Sequence, residues 1–296
     1  MSAHTPGQNQ WRAYLELVRP PNLVTAVADV FAGFAAAGLS NVKALPWLVI
    51  ATIGLYGGGV VFNDVFDRKL DSTERPERPL PSERATIQNA VLLGVSLLAV
   101  GIGAAFFASP LSGLIAVSIA ACAILYDAWG KHQPILAPLN MGACRGFNLL
   151  LGVSAVPALV GDLWYLMLVP VAYIAAITAV SRGEVHGGQR ATGLLALFLL
   201  GAVIFGLLLL TRSVRFELIA VLPFLAIFIG RVIPPFWNAY LNPEPAQIQN
   251  AVKAGVLSLI VLDATIAAGF AGVLYGVMVL SLLFVATRIA RLFAVT

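Results

Sequence analysis

Asn63, Asp67 and Asp71 stand four residues apart, so on a helix they share one face. Asp64, three residues before Asp67, lies beside it. Carboxylates stacked this closely repel one another and call for a cation. Magnesium is the natural choice: it takes carboxylate oxygens, keeps several waters and completes its shell with substrate phosphates. Downstream, Arg75, Arg78 and Arg84 offer planar forks that match phosphate oxygens. Spacing alone leaves a second reading open, a solvated loop that Arg68 and Lys69 anchor to lipid headgroups.

The elements that must carry this stretch are apolar. Hydrophobic residues make up 59% of the 296 and charged ones only 11%, with a mean hydropathy of +0.90. A bilayer-spanning helix needs ~20 mostly apolar residues. Such runs fall at 22–39, 45–62, 86–107, 110–126, 138–158, 163–181, 191–211, 216–235, 249–272 and 274–292. The last two are divided only by a weak break around Gly272 and Tyr275, so nine or ten spans are expected. The fold class is all-α and integral to the membrane, a single domain over residues 1–296.

Residues 1–21 lack the charged start, apolar core and small-residue site of a cleavable signal, and 11–18 read as a short interfacial helix. Cys122 and Cys144 lie inside apolar runs and read as packing residues. The net charge of +4 fits loop bias and lipid contact, not nucleic-acid binding. With the N-terminus in the cytoplasm, Arg68, Lys69, Arg75, Arg78, Arg84, Lys131, Arg182, Arg190, Arg231 and Lys253 all fall on that side. Lys43, Arg212 and Arg215 fall opposite. The aspartate stretch therefore faces the cytoplasm. Span six ends in another polar segment, SRGEVHGGQR at 181–190, on the same side, and a cavity between two helical units is expected. Glycines 57–59, with Gly142, Gly146 and Gly152, would permit close helix approach.

An apolar helix, an aspartate face at its end and an Arg-Pro loop, in that order, resemble the UbiA superfamily of intramembrane prenyltransferases. NDVFDRKLD at 63–71 fits every position of that family's first motif, Asn-Asp-x-x-Asp-x-x-x-Asp, and RPLPS at 78–82 fits its continuation. The resemblance implies a helical bundle around a cavity open to lipid, with a polar cap on its cytoplasmic side. It implies Mg²⁺ held by Asn63, Asp64, Asp67, Asp71 and Glu184, with the three aspartates catalytic. Asn63, Arg68, Arg78, Lys131, Arg182 and Arg190 would bind the diphosphate of an isoprenyl donor. The co-substrate would be a lipophilic, chiefly aromatic acceptor. Metal and arginine charge would stabilise the leaving diphosphate, and the apolar bundle would keep water from the allylic cation. Tyr126, Phe147, Trp164 or Tyr173 could shield that cation.

The chain departs from the family pattern after span six. Where members carry Asp-x-x-Gly-Asp-Arg, this chain has Glu184 in place of the first carboxylate, Gly188 in place of the second, and Arg190. Neutral His186 is a poor ligand for hard Mg²⁺, and Glu184 beside Arg182 has an alternative as a local ion pair. SRGEVHGG, with MGACRGFNLLLG at 141–152, resembles the EboC branch of UbiA-like proteins. That branch belongs with bacterial secondary-metabolite precursors and their passage across the inner membrane, and implies partner proteins of the same pathway.

Asp29, Arg145, Asn148 and Asp263 fall inside apolar runs, where such groups are costly. They would line the cavity, acting on an acceptor hydroxyl or as a base, or pair with one another between helices. Asn22 behind Arg19 would hold a diphosphate or cap a helix. Three functions are carried forward: a Mg²⁺-dependent prenyltransferase, a non-catalytic carrier of an isoprenoid or metabolite, and an ion-coupled transporter using Asp29 and Asp263.

Overall fold

The structure, a computed structural model, describes residues 6–133, 135–213 and 215–293. Twelve α-helices follow one another: α1 Pro6–Val18, α2 Pro20–Ala36, α3 Leu45–Glu74, α4 Ile87–Ala108, α5 Pro110–Ala128, α6 Leu136–Val153, α7 Val160–Leu163, α8 Leu168–Ser181, α9 Arg190–Leu210, α10 Leu218–Leu241, α11 Pro245–Ala271 and α12 Val273–Ile289. No strand occurs among the described residues. Every expected apolar run contains a helix, and among the described residues seven helical segments are long and apolar enough to cross a membrane. The helices α2 and α12, of 17 residues each, and α6, of 18, are not among those seven. The break at Gly272 is real: its φ of 84° lies in the left-handed region that favours glycine, and it separates α11 from α12.

Helix starts follow local chemistry. Ser109 accepts a hydrogen bond from Ser112 N at 3.0 Å to cap α5, and Pro20, Pro110 and Pro245 open α2, α5 and α11, where a missing N–H costs nothing. The amphipathic α1 buries Ala13 and Leu17 and leaves Trp11 and Leu15 exposed, as an interfacial helix should. Of the seven membrane-length segments α11 is the most buried, packed by α2, α8, α10 and α12.

Two glycine contacts set the helix positions that matter for the site. A Cβ on Gly33 of α2 would collide with the Leu149 carbonyl of α6, and one on Gly152 with the Val30 carbonyl of α2. With no side chain between them the two backbones touch, which brings Asp29 against Arg145 and Asn148. Likewise a Cβ on Gly54 of α3 would lie 2.8 Å from Gly101 Cα of α4. This seam fixes the helix that carries the aspartates.

Candidate active site at the mouth of the cavity

The helix α3 runs unbroken from Leu45 to Glu74, so the aspartate face is the continuation of a membrane helix. Its carboxylates are each met by a cation from elsewhere in the chain. Asp64 accepts from Arg19 Nη2 at 2.6 Å, and Asp67 from Lys131 Nζ at 2.5 Å. Asp71 accepts from Arg78 Nη1 at 2.7 Å, and the same nitrogen reaches Asp64 at 3.4 Å. Asn63 donates to Asp127 Oδ1 at 2.8 Å.

Local structure aims these cations. Arg19 sits between α1 and α2 with a φ of 50°, a conformation strained for a side chain with a Cβ. Pro20 behind it disfavours the ordinary helical alternative. Arg78 belongs to a turn closed by Arg78 N to Arg75 O and Ser82 N to Arg78 O. Lys131 rides on the short 3₁₀ turn Gly130–His132 that follows α5.

Glu184, in the loop after α8, joins the cluster through Arg75 at 3.5 Å, and Gln249 of α11 donates to its backbone carbonyl at 2.9 Å. Burial pushes the Glu184 carboxyl above its ordinary range, while the Arg75 charge pulls it back.

Below the cluster opens a cavity of about 1240 Å³, counting space open to its surroundings. Asn63, Asp67, Asp71, Arg75, Arg78, Lys131 and Glu184 line its charged end, and Ile174, Ile177, Val252, Val256 and Leu259 its apolar wall. Tyr56, Tyr126, Met141 and Arg145 are shared with a second, almost wholly apolar recess that runs between α3, α5 and α6. Asp64 faces the other flank, a polar chamber of about 1780 Å³ with Arg84 and Lys253. Arg75, Arg78 and Glu184 border both spaces.

The sequence-derived candidates divide accordingly. Asn63, Asp64, Asp67, Asp71, Arg78, Lys131 and Glu184 are brought together. Arg68 lines none of these spaces, Arg182 is exposed and bonded to the Gln133 carbonyl, and Arg190 is exposed against the Leu241 carbonyl. Gly188 donates its N–H to the Pro243 carbonyl and faces a separate glycine-lined recess. Arg84 pairs with Glu16 at 2.6 Å. Of the proposed aromatic shields only Tyr126 lines the cavity. Tyr173 is buried and donates to the Gly255 carbonyl, and Trp164 points outward.

Three cavity residues escaped the sequence reading. Arg19 appeared there only as a residue preceding the Asn22 candidate, and Tyr56 drew no attention. Asp127 is buried beside Asn63. Its signal was its place four residues before Lys131, on the same end of α5.

Deeper in the bundle lies a second charged group. Arg145 of α6 grips Asp29 of α2 with two nitrogens, at 3.0 and 3.1 Å, and also donates to the Thr25 carbonyl at 3.0 Å. Asn148 donates to Asp29 Oδ2 and to the Ala26 carbonyl, both at 2.8 Å. The expected internal pairing thus falls on Asp29. Asp263 of α11 stands beside Asp29, with its Oδ2 buried and without a partner among the described residues.

The donors around the mouth are carboxylate and amide oxygens with no thiolate or imidazole, the chemistry hard Mg²⁺ requires. Among the described residues no three such groups already converge on one point, because lysine and arginine occupy the carboxylates. The residues fit the ion on condition that these cations change partner.

A helical membrane bundle whose apolar cavity ends in clustered carboxylates and cations is built to hold a molecule with a charged head and a greasy tail. The chain belongs to the UbiA prenyltransferase family, whose model matches residues 23–296. It is 32% identical over 183 residues to the digeranylgeranylglyceryl phosphate synthase of Ignicoccus hospitalis, a match covering 62% of this chain and 60% of that protein. With the same synthase from Methanopyrus kandleri it is 33% identical, covering 50% of this chain and 56% of that one. The matched region thus spans less than two thirds of these relatives' length. The fold is similar to the apo structure of a UbiA homolog from Aeropyrum pernix K1, with a TM-score of 0.69 at 14% identity, covering 82% of this chain and 96% of that one. It is also similar to a UbiA homolog from Archaeoglobus fulgidus bound to GPP and Mg²⁺, with a TM-score of 0.54 at 13% identity, covering 91% and 99%.

Proposed function

We propose that the protein is a Mg²⁺-dependent prenyltransferase that moves an isoprenyl group from its diphosphate to a lipophilic acceptor. The observation that carries this reading is the mouth of the cavity, where Asp64, Asp67 and Asp71 are each paired with an arginine or lysine. These pairs are a resting arrangement. The carboxylates would hold a Mg²⁺ ion, which would free Arg19, Arg78 and Lys131 to pair with the phosphate oxygens of the donor. Asn63, Asp67, Asp71 and Glu184 border the cavity and would hold the ion, with Asp64 on the flank. Bound there, Mg²⁺ supplies positive charge to the leaving diphosphate. Arg75, Arg78 and Lys131 would add theirs once they leave their carboxylate partners. The apolar walls take the isoprenoid tail and exclude water from the allylic carbon. As the bond from that carbon to the diphosphate oxygen breaks, the acceptor forms its bond to the carbon and gives up a proton.

Relatives named as digeranylgeranylglyceryl phosphate synthases support isoprenyl transfer and extend the acceptors to be tested from aromatic compounds to lipid alcohols. The resemblance of SRGEVHGG and MGACRGFNLLLG to the EboC branch favours secondary metabolism, with partner proteins of that pathway. Lysine and arginine placement favours a bacterial inner membrane with the aspartates cytoplasmic.

A second reading, a carrier that binds an isoprenoid or metabolite and assists its export, draws on Gly188. The missing carboxylate leaves the second half of the site to Glu184 alone. One experiment separates the two. Purified protein in detergent is given isoprenyl diphosphates of several lengths, with and without Mg²⁺, and both binding and diphosphate release are recorded. Release that requires Mg²⁺ and disappears in Asp67→Asn supports the transferase. Binding without release supports the carrier, and the absence of both rejects each.

A further inference from the structure

The buried Arg145–Asn148 pair presents unused hydrogen-bonding atoms to the apolar recess. Arg145 donates through Nη2 to Asp29 and to the Thr25 carbonyl and holds Nε 3.0 Å from Asp29 as an ion-pair contact without a hydrogen bond, while Nη1 makes no hydrogen bond among the described residues. Asn148 spends both amide hydrogens on Asp29 and the Ala26 carbonyl, and its Oδ1 accepts no hydrogen bond among the described residues. Neither atom is among the fully buried ones that lack a hydrogen-bond partner, whereas Arg145 Nε is. Both side chains are only 4% and 5% exposed, and both line the recess. Their orientation is fixed, because Asp29 holds each of them and Gly33 and Gly152 lock α2 against α6. The Tyr56 ring lies 5.6 Å from the guanidinium and forms part of the same wall.

A donor and an acceptor held side by side in an apolar wall match a group that both accepts and donates one hydrogen bond. A carboxylate would lack the hydrogen that Asn148 Oδ1 needs, and an ether would lack it too. We infer that Arg145 and Asn148 form a subsite for a hydroxyl group on an otherwise apolar co-substrate, which accepts from Arg145 Nη1 and donates to Asn148 Oδ1. The inference rests on the transferase reading for the identity of that molecule as acceptor, but the recognition chemistry stands by itself. The hydroxyl is anchored deep in the recess while the remainder of the molecule extends past Tyr56 and Tyr126 towards the charged mouth. Arg145 and Asn148 are then specificity-determining residues.

The test uses matched probes on the full-length protein in detergent: 1-naphthol, 1-methoxynaphthalene and naphthalene. Their binding is read by fluorescence, with geranyl diphosphate and Mg²⁺ binding measured in parallel on the same samples. The expected result is that the naphthol binds about tenfold more tightly than the ether, the equivalent of one satisfied hydrogen-bond pair. Asn148→Leu is expected to remove that preference while geranyl diphosphate binding reports an intact fold. Equal binding of naphthol and ether to the unaltered protein would overturn the subsite, whatever the variant does. A naphthol preference that survives Asn148→Leu would overturn it as well. In the unaltered protein, a naphthol preference without any binding of geranyl diphosphate would sink the transferase reading and leave the subsite standing.

Discussion

The molecule holds two clusters of arginine and aspartate, and they are built for opposite ends. At the mouth, Lys131–Asp67 and Arg78–Asp71 are each joined through a single nitrogen. The first pair links partly exposed side chains 64 residues apart in the chain, and the second reaches back seven residues from the loop to a buried Asp71. In the bundle, Arg145 and Asp29 are buried, joined through two nitrogens and closed off by Asn148 and two backbone carbonyls. The first arrangement can be undone by an incoming ion or phosphate. The second cannot be opened without leaving charge in a low-dielectric interior. Similar residue types thus yield an exchangeable site in one place and a fixed post in the other. The distinction lies in the number of bonds each group has already committed.

The largest expected effect tests the fixed post. Arg145→Met should lower stability by about 3–5 kcal/mol, because Asp29 is left buried and uncompensated. Asp29→Asn in the same chain should recover most of that loss. Thermal unfolding in detergent measures both, and a single variant that melts like the unaltered protein would erase the contrast between the clusters.

At the mouth the reverse pattern is expected. Asp67→Asn should cut Mg²⁺-dependent diphosphate release by about 10²–10³-fold, with stability changed by no more than about 1 kcal/mol. Chelation of Mg²⁺ in the unaltered protein should match that loss of release. A variant that unfolds early would show that Lys131–Asp67 is structural after all.

A smaller change is expected at the border between the chambers. Arg75→Ala releases Glu184 and removes one phosphate donor, so affinity for an isoprenyl diphosphate should fall about tenfold, or about 1.4 kcal/mol. Titration calorimetry would measure this, and unchanged affinity would confine Arg75 to holding the loop.

The smallest effect expected is from Gly188→Asp. This change would restore the carboxylate of the family pattern, yet Gly188 faces a recess separate from the cavity. Mg²⁺ affinity should therefore stay within about twofold, the range of substitutions remote from any site. A strong gain would mean that the loop turns inward when donor binds.

The sequence made some of this plain and hid the rest for a physical reason. Asn63, Asp67 and Asp71 were readable because one helical period relates them, and the ten apolar runs because each is continuous in the chain. Contacts between distant segments were not readable. Nothing at Arg19 announces that a left-handed turn aims it at Asp64, and nothing at Asp127 announces Asn63. Arg182 and Arg190 drew notice through their place in a family pattern, and their backbone partners lie outside the cavity. Arg145 with Asp29 was within reach as one of two pairings, but only the Gly33–Gly152 contact decides between Asp29 and Asp263.

The length of α3 has a mechanical consequence. Its 30 residues make a rod of about 45 Å, longer than the ~30 Å hydrocarbon layer. The seam at Gly54 and Gly101 clamps that rod to α4, while Asp71 rides about 26 Å beyond Gly54 along its axis. A tilt of about 5° at the clamp therefore swings Asp71 through about 2 Å, comparable to a whole metal–oxygen bond. Long helices answer changes in bilayer thickness by tilting. The lipids around this protein accordingly act as a tuning screw on its carboxylates, and thicker or thinner membranes should set different working distances at the site without touching one of its residues.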